Sequence, residues 1–418
     1  MTSHQRSHVL RLSPYYLFPD RPLSRRELQY EPIGGMQVQI TQLSEALDRE
    51  GVAQTVVLPR RSGLPPQKQQ RRITFRFLRL PVLPITTPSK GYAGLLLYWS
   101  GAVLAWCAWQ AIRGRRATWD VIHVHCSELP WTYVTAVGAK ALMGRPLVLT
   151  IHCSSIVTFE PSNALGRILG AVAAVAERYA LTRADVVTVL TQRLANEYVE
   201  RGLVELARIE VIPDGVDLTL FRPPSSDEDG IDGGPVVYCG RFAPEKGWAD
   251  FVAAAAILRD AGHSDVRYVM FGDGNELTRC REELRTRQLE HQVSLVGHVG
   301  RSEIALGLGR AQVVVVPSHH EELGGTVLEA LALGRPVVAT SVGGLPEVIS
   351  DANNGRLVPP CRPDAIAGAV ADLLADSQLR RRLASAARDS VAAYDLCRTT
   401  ELLVRCYERI QGVVGVED

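Results

Sequence analysis

The feature that most constrains the fold is an alternation of short apolar runs with helix-length segments, which occurs twice along the 418 residues. Strands are predicted in the first half at 9–12, 52–58, 120–124, 147–151, 185–190 and 209–212. The second half repeats the pattern with predicted strands at 236–238, 267–271, 293–296 and 313–316. Strands that alternate with helices form parallel sheets covered by helices on both faces. The sequence therefore predicts an α/β protein with two doubly wound, Rossmann-like domains.

A polar break at 214–235, rich in proline, serine, glycine and acidic residues, separates the two halves. We predict an N-terminal domain over 1–215, a linker over 216–235 and a C-terminal domain over 236–390. Residues 391–418 are predicted to form a helix that packs back on the N-terminal domain. Doubly wound sheets bind ligands beyond the carboxyl ends of their strands, where the glycine-rich turns of this chain fall. We therefore expect one site in a cleft between the two domains.

Composition excludes several classes of protein. A formal net charge of +1 argues against a nucleic-acid-binding protein, which needs a concentrated basic face. The eight cysteines form no CxxC pair, so neither a zinc site nor a disulfide framework is indicated. Several of them lie in apolar runs and are expected to be buried in a protein of the reducing cytoplasm. The N-terminus has no apolar core of a secretory signal, which also favours a cytoplasmic location.

Residues 91–112 form an uncharged stretch of 22 residues, followed by Arg113, Arg115 and Arg116. Its length and its flanking charges are compatible with a membrane span. Glycine, serine and glutamine interrupt it, however, and it lies between predicted strands of one domain. A helix buried in the core is favoured over attachment to a membrane surface or a true span. Membrane contact is therefore not expected.

The strongest functional pattern is the stretch 317–340, which follows the predicted strand 313–316 and continues into a helix predicted over 327–333. Glu321 and Glu329 are separated by seven residues that include Leu323, Gly324 and Gly325. A helix N-terminus offers free N–H groups, and glycine allows a ligand to approach the backbone. Carboxylates accept hydrogen bonds from sugar hydroxyls. With Glu321 in the loop and Glu329 about two helical turns in, the stretch predicts a site for a nucleotide sugar.

Further candidate residues follow other predicted strands. Arg241 and Lys246 come after 236–238 and provide two cations for a diphosphate. Backbone groups near ends of later strands can contact the nucleotide, with Gly272 and Asp273 in one turn and His298 and Val299 in another.

In the first half, Gly34 and Gly35 open a predicted helix and form a candidate anion site. His152 ends a strand and is a candidate contact to the transferred group, whereas His123 and His125 are interpreted as packing residues. The chain has neither a GxGxxG motif after a first strand nor a GxxxxGK[ST] motif. The acidic run 227–229 lies in the predicted linker, so we expect no metal and no other cofactor.

In their order along the chain, the paired glycine, the strand-terminal histidine, GRFxxEKG, GDG and E-x7-E resemble the retaining group-one (family four) glycosyltransferases of the GT-B fold. The resemblance implies metal-independent transfer of a sugar from a nucleoside diphosphate, with retention at the anomeric carbon. It also implies that Glu321 contacts the donor sugar, Glu329 the ribose, Arg241 and Lys246 the diphosphate, Gly35 the phosphate and His152 the sugar. Two positions depart from the family pattern, since Leu323 replaces an aromatic residue and Asp214 replaces an asparagine.

A narrower likeness involves the segments EPIGGMQVQI, LTIHCSS, FEP, AERYAL and HEELGG. They are similar to segments of enzymes that glycosylate 2-deoxystreptamine in aminoglycoside antibiotic biosynthesis, using UDP-N-acetylglucosamine or UDP-glucose. A polycationic aminocyclitol acceptor calls for carboxylates in its pocket. Glu31, Glu128 and Glu160 lie in predicted loops of the first half and are the candidate acceptor contacts.

No carboxylate is identifiable as a nucleophile beside the anomeric centre. The sequence analysis therefore predicts attack from the face of the leaving group, with a β-phosphate oxygen accepting the acceptor's proton. Three alternatives stay open. They are a nucleotide-sugar 2-epimerase of the same fold, a membrane-surface glycosyltransferase with a lipid acceptor, and a sugar-nucleotide-binding protein without catalysis.

Overall fold

A computed structural model of the chain describes residues 6–18, 34–60, 63–80, 91–158, 164–224 and 231–414. The chain divides into two compact units. The first unit comprises Met1–Pro213 and Cys397–Asp418, and the second unit comprises Asp214–Leu396. The division therefore lies two residues before the predicted boundary at 215, and the chain returns to the first unit at 397 rather than 391. The reason is local pairing within the second unit, where the backbone N–H of Val216 donates to the Tyr394 carbonyl at 2.8 Å and Leu396 N–H donates to the Val216 carbonyl at 3.0 Å.

The first unit contains an eight-stranded sheet in the order β3-β4-β2-β1-β5-β6-β7-β8. All of its pairings are parallel except that of β3 with β4. Its strands are β1 (Arg6–Leu12), β2 (Val52–Pro59), β3 (Gln67–Gln70), β4 (Ile73–Leu78), β5 (Val121–Cys126), β6 (Leu147–Ile151), β7 (Val186–Val189) and β8 (Ile209–Val211). Its helices before the division are α1 (Gly35–Arg49), α2 (Gly91–Ile112), α3 (Pro130–Met143), α4 (Ala164–Arg183) and α5 (Gln192–Glu200).

Helix α2 buries one face and exposes the other. Trp99, Val103 and Cys107 are fully buried in the core of the first unit, whereas Trp109 and Ile112 are exposed. Among the described residues, no helix combines the length and the apolar character that crossing a membrane requires. The expectation of a core helix is therefore correct for the buried face of α2.

The second unit contains a six-stranded parallel sheet in the order β11-β10-β9-β12-β13-β14. Its strands are β9 (Val236–Cys239), β10 (Tyr268–Phe271), β11 (Val293–Gly297), β12 (Val313–Val316), β13 (Val337–Thr340) and β14 (Arg356–Val358). Its helices are α6 (Trp248–Asp260), α7 (Leu277–Thr286), α8 (Arg301–Gly309), α9 (Gly325–Ala332), α10 (Leu345–Val348), α11 (Pro363–Ala375) and α12 (Ser377–Ser390). The strand order reverses between β9 and β12, which is the point where doubly wound sheets bind ligands. The predicted α/β class is confirmed in each unit.

The last helix, α13 (Leu396–Val414), joins the core of the first unit. Leu403, Val404 and Tyr407 are buried with Val9 of β1 and Val121 of β5. These apolar contacts explain why the C-terminal residues belong with the first unit, although residues 214–396 lie between them in the sequence.

Candidate functional site

In the second unit, the loops that follow β9 and β10 are held together by backbone contacts. The N–H of Gly240 donates to the Phe271 carbonyl at 3.1 Å, and the N–H of Gly272 donates to the Gly297 carbonyl at 2.9 Å. Gly272 has φ +130°, and a Cβ there would lie 1.9 Å from the Gly240 carbonyl oxygen. Glycine is required at this position because any side chain would separate the two loops.

A second close approach joins the loop after β9 to the loop after β12. Gly247 has φ +65°, and a Cβ there would lie 1.8 Å from the Pro317 carbonyl oxygen. The N–H of His319 donates to the Glu245 carbonyl at 2.9 Å. The loop that carries Lys246 and the loop that carries Glu321 are therefore in direct contact at the reversal point of the sheet.

The structure brings Lys246 and Glu321 together as an ion pair. The Lys246 ammonium lies 2.7 Å from a Glu321 carboxylate oxygen, and the two side chains are 27% and 17% exposed. Ser318 donates to the same carboxylate at 3.2 Å. Arg241, in the loop before Lys246, pairs with Glu245 at 2.5 Å. Both predicted diphosphate-binding cations are therefore paired with carboxylates.

Helix α9 begins earlier than the sequence pattern predicts. Its first residue is Gly325, and Gly324 caps it with φ +93°. Glu329 is the fifth residue of this helix, about one turn from its start, so the expectation of two turns is wrong. Gly324 has φ +93°, a conformation that residues with a side chain rarely adopt, and a Cβ there would also lie 2.4 Å from the end of the Leu345 side chain. Leu323 is buried, which makes its side chain part of the packing beneath the loop.

Glu329 has a partner that the sequence analysis did not identify. Arg301, the first residue of α8, donates to the Glu329 carboxylate at 3.1 Å, and its guanidinium lies 4.9 Å from the ring centre of Phe221. Burial raises the pKa of Glu329, while Arg301 acts in the opposite direction. The sequence did contain a signal for Arg301. It is a basic residue directly after the turn that follows β11, and that turn lies at the edge of the sheet where the loop with Glu321 is found.

Asp214 is a further carboxyl group near the predicted donor site. Burial raises its pKa to about 7, and the neighbouring charges of Glu321 and Glu322 act in the same direction. The family pattern has an uncharged asparagine at this position, so the aspartate adds a group that changes protonation near neutral pH.

The other nucleotide contacts predicted from the sequence lie at neighbouring strand ends. The exposed Asp273 carboxylate accepts from the N–H of Gly274 at 2.7 Å, which stabilises its own turn. His298 is exposed and Val299 is half-buried in the turn between β11 and α8. Both turns belong to the second unit, at the edge of the sheet that carries Lys246 and Glu321.

In the first unit, His152 ends a chain of hydrogen bonds that begins at a buried arginine. Arg11 lies 2.7 Å from Nε2 of His125, and Nδ1 of His125 lies 3.0 Å from Nε2 of His152. Arginine can only donate, so Nε2 of His125 must accept and its Nδ1 must carry the hydrogen. Nε2 of His152 then accepts from His125, which leaves its Nδ1–H as a donor. Burial and the Arg11 charge lower the pKa of His152 to about 4, so the ring is neutral at pH 7.

The interpretation of His123 and His125 as packing residues is therefore incomplete. Both are buried, and their ring centres lie 4.3 Å apart with the rings tilted by 37°. His125 also sets the hydrogen-bonding state of His152, while His123 is bonded to Tyr407 at 2.6 Å and Thr150 at 2.7 Å.

The loop after His152 is held by a buried glutamate that the sequence analysis did not single out. Glu177 of α4 accepts from the Ser154 hydroxyl at 2.6 Å and from the Ser155 N–H at 2.7 Å. Tyr198 donates to it as well. Three donors on one buried carboxylate fix the backbone that follows His152.

Three of the remaining predicted residues are described in the first unit. Gly34 caps α1, its N–H donating to Gln37 at 3.0 Å, and Gly35 is the exposed first residue of that helix. Glu128 is half-buried, and its carbonyl accepts from Ser155 at 3.0 Å. Glu31 and Glu160 lie outside the described residues.

Comparison with known proteins identifies both halves of the chain. Residues 230–390 match the family "Glycosyl transferases group 1", and residues 34–215 match the family "Glycosyl transferase 4-like domain". The chain is 34% identical over 391 residues to a 2-deoxystreptamine N-acetyl-D-glucosaminyltransferase of Streptomyces fradiae, covering 91% of both chains. It is 31% identical to a 2-deoxystreptamine glucosyltransferase of Streptomyces kanamyceticus, covering 90% of this chain and 99% of that one.

A solved structure has the same fold over nearly the whole chain. A sucrose-phosphate synthase from Thermosynechococcus elongatus aligns with a TM-score of 0.80 at 23% identity, covering 98% of this chain and 100% of that one. At this identity the likeness concerns the fold alone.

Proposed function

This chain belongs to the group 1 glycosyl transferases of the GT-B fold, and on that basis we propose that it transfers N-acetylglucosamine from UDP-N-acetylglucosamine to 2-deoxystreptamine. The observation that carries the proposal is the identity of 34% along 91% of a 2-deoxystreptamine N-acetyl-D-glucosaminyltransferase. The likeness spans both units, so it includes the regions proposed for donor and for acceptor. The proposed pathway is the biosynthesis of an aminoglycoside antibiotic.

For the donor, the proposal assigns the diphosphate to Arg241 and Lys246, and the sugar hydroxyls to Glu321. In the structure, Arg241 is paired with the carboxylate of Glu245 and Lys246 with that of Glu321. A bound diphosphate replaces those carboxylates at the cations, and Glu321 is then free to accept from sugar hydroxyls. This exchange gives both cations an anionic partner before and after binding, which limits the cost of their desolvation.

For the nucleoside, Glu329 is proposed to accept from the ribose hydroxyls. Burial raises the pKa of Glu329, and its pairing with Arg301 at 3.1 Å opposes that effect and so favours the ionised form, which accepts at both oxygens. The turns at Gly272–Asp273 and His298–Val299 are proposed to contact the nucleotide through their backbone groups.

The proposed chemistry retains the anomeric configuration and uses no metal. The bond between the anomeric carbon and the β-phosphate oxygen breaks while the acceptor oxygen bonds to the same face of that carbon. The acceptor's proton passes to a β-phosphate oxygen of the departing UDP. Arg241 and Lys246 stabilise the negative charge that grows on that group.

His152 is proposed to donate its Nδ1–H to an oxygen of the transferred sugar. The chain from Arg11 through His125 supports this role because it leaves His152 neutral, with one hydrogen available for donation. A neutral imidazole adds no positive charge that would repel a cationic acceptor.

For the acceptor, Glu31, Glu128 and Glu160 remain the proposed contacts to the ammonium groups. Asp214 is an additional carboxyl group, located near Glu321 in the second unit. Carboxylates suit a polycationic aminocyclitol and disfavour neutral sugars of the same size.

The experiment is a reaction of the purified protein with UDP-N-acetylglucosamine or UDP-glucose, each with and without 2-deoxystreptamine, analysed by mass spectrometry. We expect UDP and a pseudodisaccharide only when 2-deoxystreptamine is present, with N-acetylglucosamine transferred faster than glucose. An epimerised sugar nucleotide formed without acceptor would show the epimerase instead. Turnover with a lipid acceptor, and none with 2-deoxystreptamine, would show the membrane-surface alternative.

A further inference from the structure

Three metal-ligating side chains meet on the second unit, and none of them is a residue assigned to the donor. They are Asp250 in the first turn of α6, His319 in the loop after β12, and Cys361 in the turn between β14 and α11. One ligand atom from each lies within 4.8 Å of the other two. Nothing in the proposed reaction uses any of these groups.

The cluster is already partly assembled. Nε2 of His319 lies 2.7 Å from a carboxylate oxygen of Asp250, and the N–H of His319 is fixed by the Glu245 carbonyl at 2.9 Å. Asp250 is in turn fixed by its backbone N–H, which donates to the Gly247 carbonyl at 3.0 Å. Two of the three ligands are therefore positioned by the same backbone that holds the loops after β9 and β12 together.

Cys361 has a backbone conformation that is uncommon for residues other than glycine. Its φ is +56°, in the left-handed region where glycine is favoured. The thiol is exposed, so packing in the core does not account for a cysteine here. Its sulfur is also the group that completes the cluster.

We propose that Asp250, His319 and Cys361 bind a zinc ion. A thiolate, an imidazole and a carboxylate form a borderline-soft donor set that favours Zn²⁺ over Mg²⁺ or Ca²⁺. Tetrahedral bonds of about 2.0–2.3 Å place ligand atoms roughly 3.3–3.6 Å apart. The present spacings reach that range with side-chain shifts on the order of 1 Å, and the fourth position is left to water.

On binding, Nε2 of His319 ligates the ion and the ring keeps its hydrogen on Nδ1, while the Cys361 thiol releases its proton to solvent and binds as the thiolate. The ion then links the loop that carries Glu321 to α6 and to the turn before α11. The site is thus a cross-link within the second unit, separate from the proposed metal-free transfer of the sugar.

The test is titration of the purified full-length protein with Zn²⁺ in competition with a chromophoric chelator, and with Co²⁺ as a spectroscopic probe. We expect one ion per chain, a thiolate-to-cobalt charge-transfer band, and an increase in the melting temperature with Zn²⁺. Cys361→Ser is expected to lose the charge-transfer band and to weaken Zn²⁺ binding at least about ten-fold. His319→Gln is expected to weaken binding to a similar extent.

Cys397→Ser is the matched control because Cys397 is the other exposed cysteine. It should keep the band and the affinity of the unmodified protein. Equal Zn²⁺ affinity in the unmodified protein and in Cys361→Ser would overturn the proposal, and so would a Co²⁺ complex without a thiolate band. Circular dichroism of each variant verifies that folding is unchanged. The outcome is independent of whether 2-deoxystreptamine is the acceptor.

Discussion

Replacement of Lys246 by methionine separates a role in catalysis from a role in folding. The Lys246–Glu321 pair has a gross Coulomb energy of about 6 kcal/mol at 2.7 Å with an effective dielectric constant of about 20. Desolvation and solvent screening cancel most of this, so the net contribution of such a pair to stability is about 1 kcal/mol. The proposed role in the reaction is larger. Loss of one preorganised charge beside a developing anion costs about 10²–10³ in kcat, or roughly 3–4 kcal/mol.

The two effects respond differently to a second substitution. Glu321→Gln added to Lys246→Met removes the carboxylate that lost its partner, so the double variant should be less destabilised than the sum of the single variants, by about 1 kcal/mol. Activity should not recover, because neither the cation nor the sugar-binding carboxylate is present. Stability is measured by urea denaturation, and kcat by UDP release at saturating UDP-N-acetylglucosamine and 2-deoxystreptamine.

A matched control is available in the first unit. Lys140 pairs with Asp185 at 2.6 Å, with side chains 32% and 38% exposed. Lys140→Met should cost a similar amount of stability and leave kcat unchanged. If Lys246→Met keeps kcat within about three-fold of the unmodified protein, or if the double variant regains activity, the assignment of Lys246 to the diphosphate is refuted.

Three further predictions concern single groups. Gly247→Ala should destabilise the second unit and lower activity, because its Cβ would lie 1.8 Å from the Pro317 carbonyl oxygen. Gly262→Ala is the control, since Gly262 also has a positive φ but a Cβ there would have nothing within 4 Å. Both variants are compared by urea denaturation and in the transfer assay. Asp214→Asn should stabilise the protein more at pH 8 than at pH 5. The reason is that the folded pKa of about 7 exceeds the unfolded value near 3.8, so the folded state is increasingly penalised as pH rises between them; equal urea midpoints at both pH values would contradict this. For His152, the folded pKa of about 4 lies below the unfolded value of 6.5, so its contribution to stability is complete above pH 6.5 and is lost as pH falls toward 4. Arg11→Met removes one cause of that depression and the donor to His125, and we expect a smaller acid-induced loss of stability together with a lower kcat; an unchanged kcat would argue against the hydrogen-bond chain.

The strands were predictable because their signals are local. Apolar runs such as 313–316 and 147–151 identify strands without knowledge of the partner strands. The start of α9 was misplaced because Gly324 and Gly325 suggested a loop, whereas Gly325 already has helical geometry. The left-handed conformation of Gly324, with φ +93°, places the start of the helix at the next residue.

Residues brought together from distant positions were not predictable in the same way. Arg301 lies 28 residues before Glu329, and Arg11 lies 114 residues before His125. No sequence periodicity connects these pairs. Arg301 and Glu329 meet only when the sheet that contains β11 and β12 has formed, and Arg11 and His125 meet only when β1 pairs with β5. Sequence spacing also indicated no zinc site, because the three proposed ligands come from three separate elements.

The sequence by itself determined the α/β class, the two halves and the E-x7-E stretch, because hydrophobic period and glycine placement act over a few residues. The tertiary structure decided which charges are partnered, which tautomer His152 adopts and why the pKa of Asp214 lies near neutral pH. Those properties depend on burial and on distances of a few ångströms between groups far apart in the chain. Local patterns contain no information about such distances, and the packing of the folded sheets sets them.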